Sequence, residues 1–279
     1  MTGTSEWQGR VGDAWAEEWR RTDRSLEPVN RALVERASAL APATILDVGC
    51  GAGATSLALA HALPGAAITG IDLSDALIGA ARERAGSQSR IRFEAADAAT
   101  WQSAGAFDLI VSRHGVMFFD DPVAAFTHLR TLTAPGGRLL FSCFRARADN
   151  DWAVAMRPVF ARFAPETLDA PEPPTGPFAF AAPDRIAQVL DAAGFARPTI
   201  EPLDCDFLIG EGEDPVADAL RYLARIGPVA RLLAELDDAA RATAMDALAD
   251  IVESRQTESR VAFRAAAWIV SSENVGEAP

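Results

Sequence analysis

The sequence contains no lysine. All 26 basic residues of the 279-residue chain are arginine, against 39 aspartate and glutamate residues, and the formal net charge is −13. Without a lysine amine, Schiff-base chemistry, a lysine general base and a phosphate-binding P-loop are excluded. The acidic balance also argues against nucleic acid as a partner, because phosphate binding requires clustered basic side chains.

Cysteine and long apolar runs are scarce as well. The three cysteines, Cys50, Cys143 and Cys205, are widely separated and have neither metal-ligand spacing nor the pattern of a disulfide framework. No run approaches the roughly 20 apolar residues of a membrane span, and the opening MTGTSEWQGR lacks the pattern of a signal peptide. We therefore expect a cytoplasmic protein with reduced thiols, no metal site and no membrane segment.

From residue 44 onward, short apolar runs alternate with helical stretches. Apolar strands separated by helices predict a parallel sheet that is covered on both faces. Helices are predicted between the strands, including one over 150–164 and at least two over 215–254. The predicted strands are Thr44–Val48, Ala67–Ile71, Ile91–Ala95, Phe107–Ser112, Arg138–Phe144, Thr199–Ile209 and Ala266–Ser271.

Additional helical segments are predicted before the first strand and between the last two strands. Trp15 and Trp19 are four residues apart and would share one face of an N-terminal helix, and Pro28–Leu40 predicts a second helix. The predicted division of the chain is an N-terminal helical lid (1–40), a core (41–210) with a lid loop (145–183), a helical cap (211–262), and a final strand with its tail (263–279).

A glycine-rich turn follows the first predicted strand, in the string ILDVGCGAG that starts at Ile45. Between a strand and a helix of a parallel sheet, glycines let the backbone approach a ligand without Cβ contact. Gly49, Gly51 and Ala54 also satisfy the relaxed fingerprint of dinucleotide-binding proteins. The turn alone therefore leaves NAD open as a ligand.

Three aspartates lie at the ends of successive predicted strands. Asp47 precedes the first glycine by two positions, Asp72 follows the second strand, and Asp97 follows the third. A carboxylate at Asp72 is placed to accept both ribose hydroxyls, and one at Asp97 to accept from an adenine amino group. Since no lysine or arginine lies beside the glycine turn in the sequence, the pattern favours a nucleoside without a phosphate.

Together these motifs resemble the class I S-adenosylmethionine (SAM)-dependent methyltransferases. The likeness covers roughly residues 42–145, where LDVGCGAG, GIDLS, EAADA and FDLIVSRHGVMFF occur in the family's order and spacing. The whole chain is similar to a bacterial, UbiE-like branch of small-molecule methyltransferases. The resemblance implies a Rossmann-like, seven-stranded, mostly parallel sheet with helices on both faces, an antiparallel last strand, an added helical cap, and SAM as the cofactor.

The resemblance also implies a set of cofactor-binding residues. Trp19 and Arg24 are further candidates, Trp19 as part of a lid and Arg24 as a partner of the cofactor carboxylate; the alternative is simple packing of an N-terminal helix. For Arg113, the alternatives to a cofactor contact are a contact with the substrate or an ordinary salt bridge. Apart from Trp19 and Arg24, the cofactor-binding residues that the resemblance implies are Asp47, Gly49, Gly51, Gly53, Asp72, Leu73, Asp97, Ala98, Ser112 and Arg113.

His114 lies just past the fourth predicted strand, where the family presents the methyl group. A neutral imidazole there is suited to take a proton from an O–H or N–H group, and the alternative is a structural residue of the pocket wall. The covering segments are rich in aromatic residues, which favours a small, largely apolar acceptor over a polyanion. The candidate substrate contacts are Trp15, Phe118, Trp152, Phe178 and Tyr222.

The function expected from these features is methyl transfer from SAM to an aromatic or polyketide-like small molecule, on O, N or C, by a monomer or homodimer. Two alternatives remain at this point, an NAD-dependent oxidoreductase and a SAM-binding regulatory module without catalysis.

Overall fold

A single twisted sheet forms the centre of the computed structural model, which describes residues 7–168 and 170–276. The strand order is β3-β2-β1-β4-β5-β8-β6, and β7 pairs with β8 off that path. The strands are β1 (Thr44–Val48), β2 (Ala67–Asp72), β3 (Ile91–Ala95), β4 (Phe107–Arg113), β5 (Thr133–Phe144), β6 (Thr199–Glu211), β7 (Gln256–Thr257) and β8 (Arg260–Glu273).

The strand directions confirm the predicted fold class. Strands β1 to β5 pair in parallel, whereas β8 is antiparallel to both β5 and β6. The final strand is therefore the antiparallel one, as expected. The sheet has one strand more than predicted, because the two-residue β7 joins its rim. Strand β8 is also longer than predicted and begins at Arg260, within the segment assigned to the cap.

Helices cover both faces of the sheet. Alternation along the central strands explains the two layers, because Ile45 and Leu109 belong to one apolar cluster and Leu46 and Ile110 to the other. In the described residues the α-helices are α1 (Arg10–Glu17), α2 (Trp19–Ser25), α3 (Glu27–Leu40), α4 (Ala54–Ala62), α5 (Asp75–Ala85), α6 (Pro122–Leu132), α7 (Asp151–Val154), α8 (Arg157–Phe163), α9 (Pro183–Ala192), α10 (Pro215–Leu223), α11 (Gly227–Glu235) and α12 (Asp238–Glu253).

Two predicted helices are broken into shorter ones. The chain leaves the helix at Glu18, so Trp15 lies on α1 and Trp19 on α2, and the prediction of one shared face is wrong. The helix predicted over 150–164 is divided into α7 and α8, since Pro158 lies in the first turn of α8. Both breaks change the direction in which large aromatic side chains point.

The cap consists of α10, α11 and α12, between β6 and β7. These helices form a third apolar cluster that includes Tyr222, Leu232 and Leu248. The side chains of Asp214 and Asp237 cap α10 and α12, respectively, by accepting hydrogen bonds from backbone N–H groups in the first turn of each helix. Within the described ranges, no helix is long and apolar enough to cross a membrane.

Candidate active site

The glycine turn connects β1 to α4 in a backbone conformation that requires glycine. Gly49 and Gly53 have φ values of +64° and +83°, in the left-handed region. A Cβ atom on Gly49 would lie 3.0 Å from the Cα atom of Gly115, so the turn also packs closely on the segment after β4. The turn thus brings the ends of β1 and β4 together.

Two carboxylates lie at the carboxyl ends of the next two strands, β2 and β3. Asp72 ends β2, and its side chain accepts hydrogen bonds from the N–H groups of Gly51 (2.9 Å) and Ser74 (3.0 Å). Burial raises the pKa of Asp72, and these backbone hydrogen bonds oppose the shift. Asp97, beyond the end of β3, is exposed and accepts from the N–H of Ala99 at 2.9 Å. Both carboxylates are therefore oriented by the protein's own backbone.

Two further cofactor candidates directly follow these acids. Leu73 is half-buried, and Ala98 is buried in the apolar cluster on one face of the sheet. Their positions are compatible with contacts to a nucleoside, and their roles stay predictions.

Asp47 is fully buried within β1. The hydroxyl of Ser56 donates to its Oδ2 atom at 2.6 Å, and its Oδ1 atom has no protein partner. Burial raises the pKa of Asp47 to about 6, against the opposing effects of the Ser56 hydrogen bond and the Arg113 charge. An unpartnered carboxylate oxygen in the interior is costly unless a ligand group pairs with it.

The end of β4 presents three successive polar side chains. The Oγ atom of Ser112 and the Nη1 atom of Arg113 are both buried and have no protein partner. The Nη2 atom of Arg113 donates to Asp23 at 3.1 Å. One edge of the guanidinium group is thus satisfied by the protein, and the other edge is not.

His114 is strained, buried and neutral. Its φ of +64° lies in the left-handed region, which is uncommon for a residue with a side chain. Its Nδ1 atom shares a hydrogen bond with the Oγ atom of Ser142 at 2.6 Å, and its Nε2 atom has no protein partner. Burial, assisted by the Arg113 charge, lowers the pKa of His114 to about 3. The ring therefore stays uncharged at neutral pH.

Buried polar atoms without a protein partner concentrate in this region. Among the described residues eight side-chain atoms fit that description, and six of them lie on the N-terminal segment, on β1 or at the end of β4. Buried polar groups are normally hydrogen-bonded, so these atoms are candidates for contacts with a ligand. The six belong to Trp7, Thr22, Asp47, Ser112, Arg113 and His114.

Aromatic rings lie on two sides of this cluster. Phe144 meets the ring of His114 edge-on with centroids 4.2 Å apart, and Trp152 and Phe178 stack beyond it at 5.7 Å. We call Phe144, Trp152, Phe178 and Phe207 the Phe144 group. A second set, the Trp7 group, consists of Trp7, Trp15 and Phe118, with centroid distances of 5.5 and 5.2 Å.

The structure separates the two tryptophans predicted to act together. Trp15 belongs to the Trp7 group, whereas the ring of Trp19 is covered by the guanidinium of Arg84 at 3.7 Å. Arg24 donates to the carbonyl of Ile209 at 2.7 Å and pairs with Asp218 at 2.8 Å, so two of its contacts are with β6 and α10. Its contact with the cofactor carboxylate stays a prediction, and Arg113 has a buried, unpartnered nitrogen that suits the same role.

Tyr222, on α10, is buried beneath the N-terminal segment. Its hydroxyl lies 3.2 Å from the hydroxyl of Ser25. The side chain therefore joins the cap to α2, and a substrate contact for it stays a prediction.

Sequence reasoning missed four residues of the site. Asp23 and Arg84 connect α2 to the core, and Ser142 holds His114. A Cβ atom on Gly12 would lie 2.4 Å from the Oγ atom of Ser74, so α1 rests on the loop beside Asp72. A glycine inside a helical segment was the one available signal, since it often marks close packing.

The comparisons with known proteins decide the family. The methyltransferase-domain family matches residues 45–137. A demethylmenaquinone methyltransferase from Thermus thermophilus is 31% identical over 185 residues, which cover 60% of this chain and 80% of that protein. The chain belongs to the SAM-dependent methyltransferases. It is an enzyme of that family with SAM as its cofactor, and the NAD-dependent alternative is set aside.

Two further matches are less extensive or show the fold alone. A malonyl-[acyl-carrier protein] O-methyltransferase 1 from Ilyobacter polytropus is 33% identical over 100 residues, which cover 36% of this chain and only 37% of that protein. The crystal structure of a candidate methyltransferase from Bacillus halodurans superposes with a TM-score of 0.56 at 17% identity, covering 88% of this chain and 98% of that one. The acceptors named for the relatives differ, so the family leaves the acceptor of this methyltransferase open.

Proposed function

We propose that this methyltransferase methylates a small, largely apolar molecule, aromatic or polyketide-like, in a closed crevice at the end of β4. The observation that carries the proposal is the buried, unpartnered Nε2 atom of His114 beside the aromatic ring of Phe144. An unpartnered hydrogen-bonding atom beside aromatic rings suits a flat molecule with a reacting O–H or N–H group.

The residues present fit SAM. In this proposal Asp72 holds the ribose hydroxyls and Asp97 the adenine amino group, and both lie at the carboxyl ends of neighbouring strands. At the other end of the crevice, the unpartnered atoms of Asp47 and Arg113 carry opposite charges, which suit the ammonium and carboxylate of an amino acid. When bound, the cofactor supplies an electrophilic methyl group on a sulfonium centre.

His114 orients the acceptor and then removes its proton. In the tautomer with the proton on Nδ1, the ring donates to Ser142 and leaves Nε2 as an acceptor for the substrate O–H or N–H. A base with a pKa of about 3 is too weak to ionise a phenol beforehand. It suffices during transfer, because an oxygen that gains a methyl group while still protonated becomes strongly acidic.

The N-terminal lid and the cap cover this crevice in our proposal. Helix α1 rests on Ser74 through Gly12, and Arg21 of α2 pairs with Asp218 of the cap at 2.6 Å. A closed site holds the acceptor in line with the methyl donor. It also excludes water, which strengthens polar interactions inside the site. With a net charge of −13, the protein would repel nucleic acid and other polyanions.

A panel of acceptors tests the proposal. Purified enzyme with SAM should methylate small phenols, N-heteroaromatic compounds or polyketides, measured as release of S-adenosylhomocysteine, and should leave oligonucleotides and peptides unmodified. With a productive acceptor, Trp152→Leu should raise the KM for that acceptor roughly 10-fold, because a stacked aromatic surface is lost.

The matched control for that variant is Phe163→Leu, which removes an aromatic ring from the neighbouring helix α8 outside the Phe144 group. It should leave the KM unchanged. Efficient methylation of nucleic acid or peptide with all small molecules inert would show the proposed acceptor class to be wrong.

A further inference from the structure

Asp23, on α2, lies between two guanidinium groups of the core. Its Oδ2 atom accepts from Nη2 of Arg84 at 2.7 Å, and its Oδ1 atom accepts from Nη2 of Arg113 at 3.1 Å. The three side chains are 11 to 21% exposed, so solvent screens these pairs only in part. One carboxylate cannot neutralise two guanidinium groups, so these three side chains together carry a net positive charge.

Arg84 connects this pair to the glycine turn. Its Nη1 atom donates to the carbonyl of Ala52 at 2.6 Å, and the ring of Trp19 covers its guanidinium at 3.7 Å. Because Trp19 and Asp23 are one helical turn apart, the same face of α2 provides both contacts. Helix α2 is thus held on the turn that approaches the cofactor.

Arg113 connects the pair to the crevice. A guanidinium group is a rigid planar fork, so a hydrogen bond at one nitrogen sets the direction of the others. With Nη2 held by Asp23, Nη1 is left buried without a protein partner. The unpartnered edge is the one available to an anionic ligand group.

We propose that Asp23 is a positioning residue, which aims Arg113 at the carboxylate of the cofactor's amino-acid end and couples closure of the lid to cofactor binding. This inference rests on the proposed placement of that carboxylate at Arg113. Because α2 carries Asp23, the guanidinium is correctly held only when the helix is seated. By thermodynamic reciprocity, a cofactor that prefers the held guanidinium stabilises the seated helix to the same extent.

Two ligands separate this role from general loosening of the lid. S-adenosylhomocysteine carries the amino-acid carboxylate, and 5′-methylthioadenosine shares its adenosine and thioether but lacks that carboxylate. In isothermal titration of the full chain, Asp23→Asn should weaken S-adenosylhomocysteine about 10-fold and leave 5′-methylthioadenosine within 2-fold. Asp23→Glu, which keeps the charge, should recover most of the lost affinity.

Asp218→Asn is the matched control, since it removes the ion pairs of α2 with the cap and leaves Arg113 untouched. It should preserve the ratio of the two affinities. A second readout is trypsin cleavage at Arg20 and Arg21, followed by mass spectrometry. S-adenosylhomocysteine should protect these sites in the wild type, and that protection should be lost in Asp23→Asn.

The outcomes distinguish the two proposals. If the wild type does not prefer S-adenosylhomocysteine to 5′-methylthioadenosine, the placement of the carboxylate at Arg113 fails. If the wild type has that preference and Asp23→Asn keeps it, or if both ligands weaken equally in that variant, Asp23 does not position Arg113.

Discussion

The two halves of the crevice satisfy their polar groups in different ways. At the ends of β2 and β3, Asp72 and Asp97 accept hydrogen bonds from backbone N–H groups, which belong to their own loops and, for Asp72, also to the glycine turn. At the end of β4, one polar side-chain atom each of Ser112, Arg113 and His114 is buried without a protein partner. We call the first the complete half and the second, with its unpartnered atoms, the incomplete half.

The difference reflects how each half is built. The carboxylates after β2 and β3 are held by backbone N–H groups, from the residue two positions further along the chain and, for Asp72, also from Gly51 of the adjacent glycine turn. The β4 end faces segments far away in the chain, such as Asp23 and Ser142. In the function that we propose, the complete half holds the nucleoside and the incomplete half takes the acceptor, which suits an enzyme that keeps one cofactor and adapts its other half to a particular substrate.

The largest expected effect belongs to the incomplete half. His114→Asn tolerates the left-handed backbone but removes the imidazole, and we expect the maximal rate to fall roughly 10²-fold or more. Affinity for S-adenosylhomocysteine should stay nearly unchanged, because the nucleoside half is intact. Steady-state kinetics and isothermal titration measure the two quantities. A near-normal rate across pH would reduce His114 to a wall residue.

A smaller effect is expected in the complete half. Asp72→Ala removes a charged acceptor of ribose hydroxyls, and each such hydrogen bond is worth about 1.5–3 kcal/mol. SAM and S-adenosylhomocysteine should both bind about 30-fold more weakly in isothermal titration. Asp75→Ala, an exposed acid at the start of α5, is the control and should bind both normally. Equal affinities in the two variants would contradict the ribose assignment.

The smallest effect concerns stability in mild acid. His114 has a folded-state pKa of about 3 against an ordinary value of 6.5. As the pH falls below 6.5 the unfolded chain takes up a proton that the folded chain does not, so stability decreases. Between pH 7 and pH 5.5, this group should cost about 1.3 kcal/mol of the free energy of unfolding.

Urea unfolding of the wild type and His114→Asn at both pH values measures that loss. The variant should lose about 1.3 kcal/mol less than the wild type. Buried Asp47 titrates with the opposite sign, since its pKa is raised to about 6, but it is present in both proteins and cancels in the comparison. An identical pH dependence in both proteins would mean that His114 titrates normally.

Local patterns made most of the fold predictable. The apolar strands, the glycine turn and the caps at Ser74 and Asp214 are each specified by a few adjacent residues. The antiparallel final strand came from family resemblance, and its length did not, because β8 continues to Arg260 through pairing with distant β6. Pairing partners that far apart leave no signal in a short window of sequence.

The candidate site was less predictable wherever the contacts are long-range. Spacing alone placed Trp15 and Trp19 together, but the contact with Arg84 directs Trp19 elsewhere. The family likeness drew attention to Arg24, and only the packing of α2 on β6 shows its contacts with Ile209 and Asp218. Ser142 carries no local signal at all, since its role depends on a histidine that follows the end of another strand.

The position of β8 determines the order in which the chain can assemble during synthesis. Among the described strands β6 pairs with β8 alone, so β6 has no neighbour until Arg260–Glu273 have left the ribosome. The carbonyls that receive Arg24 belong to β6. The helices near the N-terminus are synthesised first, yet α2 can make its contacts with β6 only after β8 has paired with that strand.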